Sequence, residues 1–76
     1  MSDPNVVWIW VQEPIESSKL RIVNELIDAT ELSPRDAEQI TGKANQEYST
    51  YLWQPVPCRG PGEFVVRGQL RSNKSQ

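Results

Sequence analysis

The hydrophobic positions of the chain begin with an unbroken apolar run, VVWIWV, at residues 6–11. A short run of β-branched and aromatic residues between polar neighbours predicts a strand that is at least partly buried on both faces. Side chains alternate along a strand, so small branched residues would share one face and both tryptophans the other. The two sets are Val7, Ile9 and Val11, and Val6, Trp8 and Trp10. We expect helices to cover the branched face, which leaves the tryptophan face to the remaining chain or to a partner.

The next apolar positions recur at helical spacing. Ser17 or Ser18 can cap a helix that ends near Thr30, and the apolar stripe of this helix is broad enough to pack on a sheet. The stripe consists of Leu20, Ile22, Val23, Leu26, Ile27 and Ala29. These residues therefore predict a first helix.

A second helix start follows at Ser33, which can act as the cap, with Pro34 at the first helical position. Asp36 stands three residues after the cap, where an acidic side chain stabilises a helix start. The second helix is predicted to run from Pro34 to about Thr41, because Gly42 can end it.

Residues 45–53 fit either a helix or a strand, and their β-branched and aromatic residues favour a strand. Residues 63–70, EFVVRGQL, indicate a strand more clearly. The stretch WQPVPCRGPGEF, residues 53–64, is rich in proline and glycine and is therefore predicted to connect the two strands as a long hairpin loop.

These elements predict an α+β fold of order β-α-α-β-β, with two helices packed on one face of a small sheet. A chain of 76 residues supports a single domain, 1–76, whose apolar core is close to the lower limit for independent folding. Residues 1–4 and 72–76 are polar and are expected to be frayed.

The composition argues against catalysis and against a bound cofactor. The chain has no histidine and a single cysteine, Cys58, so an intramolecular disulfide, a zinc site and histidine-based catalysis are all excluded. The acidic pairs Glu13 with Glu16 and Asp36 with Glu38 are typical of solvated helix starts. We therefore expect no enzyme activity, no metal and no cofactor.

Two further features of the chain bear on its chemistry and location. The segment RGPGEF lacks the spacing of a phosphate-binding loop, and Cys58 beside Arg59 is interpreted as an ordinary loop thiol. The start of the chain is polar, and no apolar run approaches the length of a membrane span or of a signal peptide's apolar region. We expect a cytoplasmic protein that does not enter a membrane.

The charge is unevenly distributed along the chain. Residues 1–40 hold three basic residues against eight acidic ones, whereas residues 41–76 hold five basic residues against two acidic ones. Such a division can place opposite potentials on two faces of the fold, although the simpler and preferred interpretation is a solvated surface with a basic tail.

Residues 19–41, KLRIVNELIDATELSPRDAEQIT, resemble the two-helix core of the C-terminal domain of the bacterial ribosomal stalk protein. The matching positions are Lys19, Ala29, Thr30, Leu32 and Ala37, together with the apolar positions between them. A strand before the first helix is also similar to the fold of the Clp protease adaptor that recognises N-terminal degrons. The resemblance covers about a third of the chain and implies a scaffold for docking to another protein.

The functional residues of these families carry over only in part. Lys19 matches a basic contact residue of the stalk domain, but Asn24, Ile27 and Glu38 stand where that family is basic or small. The degron adaptor uses an Asn-Asp step and a histidine, whereas this chain has Gln12 and Glu13 and no histidine. The resemblance therefore leaves the partner open.

A winged helix-turn-helix is the alternative fold. Residues 33–52 can be divided into two helices with a turn at Gly42, and residues 54–68 would then form a wing, similar to small phage excisionases. The candidate DNA contacts are Lys43, Gln46, Arg59 and Arg67. Phosphate contacts dominate DNA affinity, so an acidic chain with a single lysine at its recognition helix argues against this alternative.

The preferred function is a small non-enzymatic module that binds a protein partner, as an adaptor, regulator or inhibitor docking on a larger machine. Exposed tryptophans would form an apolar patch of the kind that marks an interface, and tryptophan is enriched among residues that dominate binding. The candidate contact residues are Trp8, Trp10, Trp53 and Lys19. A homodimer is another way to cover this face. Tyr48, Tyr51 and Trp53 can alternatively stack on single-stranded bases, although core packing is the commoner role.

Overall fold

The computed structural model describes residues 5–12, 15, 19–58 and 60–71. The predicted frayed ends, the helix cap at Ser17 or Ser18, the Glu13 and Glu16 pair and Arg59 lie outside these residues. The elements in chain order are β1 (Val6–Val11), β2 (Leu20–Val23), a 3₁₀ turn (Leu26–Asp28), α1 (Pro34–Glu47), β3 (Tyr51–Pro57) and β4 (Phe64–Leu70).

The strands form one four-stranded sheet of order β2-β1-β4-β3 in which all neighbours are antiparallel. The α+β class is therefore confirmed. The predicted β-α-α-β-β order is not, because the described elements follow the order β-β-α-β-β. The helix α1 covers one face of this sheet, and its buried residues are Ala37, Ile40 and Ala44.

The division of β1 into two faces is as the alternation predicts. Val7, Ile9 and Val11 are buried against the core, whereas Val6, Trp8 and Trp10 are half-buried. The covered face continues across the sheet, because Val7 lies opposite Gly68 and Gly68 lies opposite Trp53. Residues directly opposite each other in an antiparallel pair point to the same side.

The predicted first helix is wrong. Leu20–Val23 form strand β2 beside β1, and Leu26–Asp28 form only a 3₁₀ turn. The two-helix core implied by the ribosomal stalk resemblance is accordingly replaced, over residues 20–28, by a strand and a turn. The apolar residues of the segment LRIV fit the spacing of a helix as well as the alternation of a strand. Pairing with β1 provides backbone hydrogen bonds and cross-strand contacts that an isolated helical turn lacks.

The predicted end of the second helix at Gly42 is also wrong, because α1 continues to Glu47. Its start is as predicted: the Ser33 side chain accepts a hydrogen bond from the Asp36 amide at 3.2 Å, and Pro34 occupies the first turn. Ile40 and Ala44 are both fully buried, so the core contact on either side of Gly42 outweighs the low helix propensity of glycine. One unbroken helix over Pro34–Glu47 contradicts a helix-turn-helix with its turn at Gly42.

Residues 45–53 were predicted to be a helix or a strand, and the structure has one after the other: α1 ends at Glu47 and β3 begins at Tyr51. The hairpin of β3 and β4 is confirmed, but two of the three prolines predicted to lie in its loop belong to β3, and only Pro61 lies in the connection. Pro55 lies opposite Val66 and Pro57 lies opposite Phe64. A proline is tolerated in an edge strand where its missing N–H would point away from the neighbour.

The segment between β2 and α1 crosses β1. β2 lies on one side of β1, whereas Thr30 lies on the other, where its amide donates to the Ile9 carbonyl at 3.1 Å. The Thr30 hydroxyl also bonds the Val11 backbone, accepting from its N–H at 2.9 Å and donating to its C=O at 3.3 Å. Leu32 then pairs with Phe64. We call residues 24–31 the crossover. The pairing of β1 with β4 ends at Trp8, and beyond it Thr30 of the crossover bonds β1 instead.

Candidate functional site

The face of the sheet opposite α1 is the main surface that the described residues leave uncovered, and we call it the open face. The register places on it Val6, Trp8, Trp10, Arg21, Val23, Leu52, Gln54, Val56, Val65, Arg67 and Gln69. Val65 is buried, whereas the others are half-buried or exposed. The open face is therefore the first place to look for a partner contact.

Two tryptophans from the central strand β1 form the middle of this face. Trp8 lies between Val23 of β2 and Arg67 of β4 in the ladder. Trp10 lies opposite Arg21, whose guanidinium carbon is 5.6 Å from the centre of the tryptophan ring. That distance is within the range of a cation–π contact, so Arg21 and Trp10 form one stacked unit at the surface.

The charge of the open face has a single sign. The charged residues of the four strands that the structure describes are Arg21 and Arg67, and both belong to this face. Arg67 donates a hydrogen bond from Nη2 to the Gln69 Oε1 at 3.0 Å, which holds its side chain along β4. Exposed Lys19 and Arg71 directly flank β2 and β4. An acidic partner surface would therefore complement this face.

The crossover forms a wall beside Trp10. A groove of about 640 Å³ runs between it and the first two strands, lined by Trp10, Arg21, Ile22, Val23, Ile27, Asp28, Ala29 and Thr30. Ile27, which lines this groove, is 74% exposed, and the preceding residue Leu26 is 45% exposed. Exposed aliphatic residues beside half-buried Trp10 make this corner apolar, and its charged lining residues are Arg21 and Asp28.

Trp53 was predicted as a contact residue, but the structure places it in the core, 1% exposed on the covered face. Its indole Nε1 donates to the Tyr48 carbonyl at 2.9 Å, and Asn45 bonds both its backbone N–H and its C=O. Its ring also packs over Gly68, where an added Cβ would stand under 3.0 Å from it. Trp53 is therefore a structural residue with no surface to offer a partner or a base.

Tyr48 and Tyr51 pack around the Trp53 ring, with ring centres 6.5 Å and 5.5 Å away. The stacking of all three aromatic residues on single-stranded bases is therefore contradicted, because they contact one another on the covered side of the sheet. Among the other predicted contact residues, Lys19 is exposed just before β2, and Trp8 and Trp10 share the open face.

The predicted DNA contacts do not come together. Half-buried Lys43 and exposed Gln46 belong to α1, on the covered side, whereas Arg67 belongs to the open face. Arg59 lies outside the described residues. The structure therefore does not bring Lys43 and Gln46 together with Arg67 on one side of the sheet.

Among the described residues, no group of three or more histidine, cysteine, aspartate or glutamate side chains could hold a metal ion. Asp36 and Glu38 stand in the first turns of α1, as a solvated helix start predicts, and Cys58 is half-buried at the end of β3. No helix in the part of the chain described here is long and apolar enough to cross a membrane.

The sequence alone did not identify Arg21, Leu26 or Ile27 as surface residues. All three were assigned to a predicted helix, with Leu26 and Ile27 on its buried stripe. The usable signal was the alternation in LRIV, which as a strand directs Leu20 and Ile22 inward and Arg21 to the other face. That signal is four residues long and is indistinguishable from one helical turn without knowledge of the neighbouring strand.

The fold and this surface define a small α+β module with one helix on one side of an antiparallel sheet and a basic, tryptophan-bearing face on the other. Comparison of the chain with protein-family models, with curated protein sequences and with solved structures found no match.

Proposed function

We propose that this chain is a small non-enzymatic protein-interaction module that docks on its partner through the open face. The observation that carries the proposal is the half-buried pair Trp8 and Trp10 on the open face, placed beside Arg21 and Arg67. Tryptophan and arginine are the residues that most often dominate binding energy at protein interfaces. An adaptor, regulator or inhibitor that acts by occupying a larger protein would need a surface of this kind and no catalytic group.

A protein partner is favoured over a nucleic acid by the aliphatic residues of the same surface. Leu52, on β3, is 43% exposed, and Leu26 and Ile27 are exposed at the crossover. Burying such side chains against apolar partner groups is favourable in proportion to the area removed from water, whereas phosphates offer them nothing. The cytoplasmic location that the sequence suggests fits a partner in a large intracellular machine.

The test is affinity capture from the native host, with mass spectrometry of the retained proteins. Trp10→Ala and Arg67→Ala should each abolish retention of one stoichiometric partner, because both side chains lie on the open face. The matched control is Gln39→Ala, an exposed position on α1, which should retain that partner fully. Circular dichroism establishes that each variant is folded.

Two results would contradict the proposal. One is a partner that is lost with Gln39→Ala and kept with both open-face variants, which would move the contact to the helix. The other is binding to duplex DNA that weakens steeply with salt and is lost when Arg59 and Arg67 are both changed to alanine.

A further inference from the structure

We propose that the partner contributes an extended segment that adds to the free edge of β2 and places an acidic side chain beside Arg21. This inference rests on the proposed function, since it names the part of the partner that the open face receives. The inference follows from the difference between the two edge strands, β3 and β2, and from the positive charge of Arg21 on β2.

The outer edge of β3 is closed to strand addition. The Cys58 amide bonds the Glu63 carbonyl and the Arg71 amide bonds the Thr50 carbonyl, so even-numbered residues of β3 face β4 and odd-numbered residues face outward. At each outward-facing residue of β3, the backbone N–H is either already hydrogen-bonded or absent. Tyr51 N–H donates to the Tyr48 carbonyl, Trp53 is bonded by Asn45, and Pro55 and Pro57 have no N–H.

Among the described residues, none pairs with the outer edge of β2 at Ile22. On β1, Asn5 and Val11 direct their backbone groups away from β2, so Trp8 and Trp10 pair with Val23 and Arg21. Leu20 and Ile22 of β2 then face outward. The Leu20 carbonyl accepts from the Tyr48 hydroxyl at 3.2 Å, which leaves the N–H and C=O of Ile22 without a described partner.

The neighbours of Ile22 determine the chemistry of the added segment. Arg21 and Val23 point to the open face, and both line the groove beside the crossover. A segment paired at Ile22 would place its flanking side chains next to these two residues. A carboxylate fits beside Arg21, and an apolar side chain fits beside Val23 and Ile27, where Asp28 disfavours a second acidic group.

A peptide is favoured over single-stranded nucleic acid by the backbone groups. An extended peptide supplies both a donor and an acceptor at the spacing of the edge, which is the basis of recognition by strand addition. A nucleic acid supplies phosphates for Arg21 but no matching pair of groups for Ile22.

The experiment is selection of random decapeptides displayed in a library against the immobilised chain, followed by measurement of the dissociation constant of an enriched peptide. We expect enrichment of an acidic residue two positions from an apolar one. Arg21→Glu should weaken the enriched peptide by at least about tenfold, because it replaces an attraction with a like-charge repulsion. Arg35→Glu on α1 is the matched charge control and should leave the affinity unchanged.

The edge itself is tested with Ile22→Pro, which copies into β2 the feature that closes β3. It should reduce affinity about tenfold, the equivalent of one lost hydrogen-bonded pairing. Should this variant fail to fold, the peptide is altered instead of the chain. Each peptide-bond nitrogen of the enriched peptide is methylated in turn, which tests whether its N–H bonds the edge of β2. One methylated position should then lose affinity by a similar factor.

The outcomes separate the two proposals. Peptides that need Trp10 and Arg21 but tolerate Ile22→Pro and methylation at every position overturn strand addition and leave the open face as the docking site. Enriched peptides that are basic overturn the acidic side chain beside Arg21, and peptides that bind equally well after Trp10→Ala and Arg21→Glu overturn both proposals. Failure to enrich any peptide, with binding of oligothymidine instead, assigns the face to single-stranded nucleic acid and also overturns both.

Discussion

The two faces of the sheet come from the same four strands but differ in almost every physical respect. The covered face holds Trp53 and Ile9, each 1% exposed, against the fully buried Ile40 of α1. The open face holds Trp8 and Trp10, which remain half-buried, and the two arginines of the strands. A buried tryptophan with a bonded indole fixes the structure, whereas a half-buried tryptophan beside arginine is a surface for contact.

The difference arises because one helix cannot cover both faces. The helix α1 is 14 residues long and packs on one side only, and the crossover covers just one corner of the other side, at Val65. In the part of the chain that the structure describes, the rest of the open face keeps half-buried and exposed apolar residues, such as Trp8, Trp10 and Leu52. Three substitutions test whether stability resides on the covered face and its edge, and a fourth tests the helix that covers it.

The largest effect is expected from the tryptophans. Trp53→Ala should lower the free energy of unfolding by about 3–5 kcal/mol, because it removes a fully buried aromatic side chain from a small core. Trp8→Ala is the matched variant and should cost only about 1–2 kcal/mol, since part of that ring is already in contact with water. Urea denaturation of both variants measures the difference; equal losses would contradict the assignment of the two faces.

The second effect concerns the contact between Gly68 and Trp53. Gly68→Ala should destabilise the chain by about 1–3 kcal/mol, because the added methyl group would overlap the Trp53 ring and force it to move. Gly60→Ala is the control, since its added Cβ would meet only the flexible Glu63 side chain at 3.8 Å. A near-neutral Gly68→Ala in thermal unfolding would show that the ring does not pack over this position.

The third effect concerns Asn45, which joins α1 to the edge of the covered face. Asn45→Ala removes both hydrogen bonds to the Trp53 backbone and should cost about 1–2 kcal/mol. It should also speed hydrogen exchange of the Trp53 amide relative to the Val66 amide inside the ladder. Gln46→Ala, one residue further along α1 and exposed, serves as the control. Unchanged protection of the Trp53 amide would argue against the bond to Asn45.

The smallest effect is expected at Gly42, on the exposed side of α1. Gly42→Ala should stabilise the chain by about 0.5–1 kcal/mol, because alanine is the better helix former and its Cβ would meet nothing within 4 Å. A rise in the melting temperature confirms that the helix is continuous here. A fall would instead indicate a turn at Gly42, as the helix-turn-helix alternative requires.

Strong local signals predicted their elements well. The strand at residues 6–11 with its two faces, the helix start at Ser33 and the strand over residues 63–70 all agree with the structure, where β4 is Phe64–Leu70. Weak signals did not decide between alternatives. The apolar pattern of residues 20–29 fits a helix by spacing, but four of its residues gain more by pairing with β1.

The candidate site was predicted only in part. Trp8 and Trp10 were identified from β1 alone, because alternation follows directly from the strand. Arg21 was missed because its position depends on β2 being a strand, and Trp53 was misplaced because its burial depends on Gly68, fifteen positions away in sequence. Pro55 and Pro57 suggested a loop, and only the outward direction of their nitrogens in β3 makes them compatible with a strand.

The sequence by itself determined the alternation of β1 and the N-terminal cap of α1, because each depends on residues a few positions apart. The tertiary structure decided which of two periods residues 20–23 follow, whether α1 passes through Gly42 and which edge of the sheet is open. Those outcomes depend on hydrogen bonds and packing between residues far apart in sequence, and such contacts outweigh local preferences of about 1 kcal/mol or less per residue.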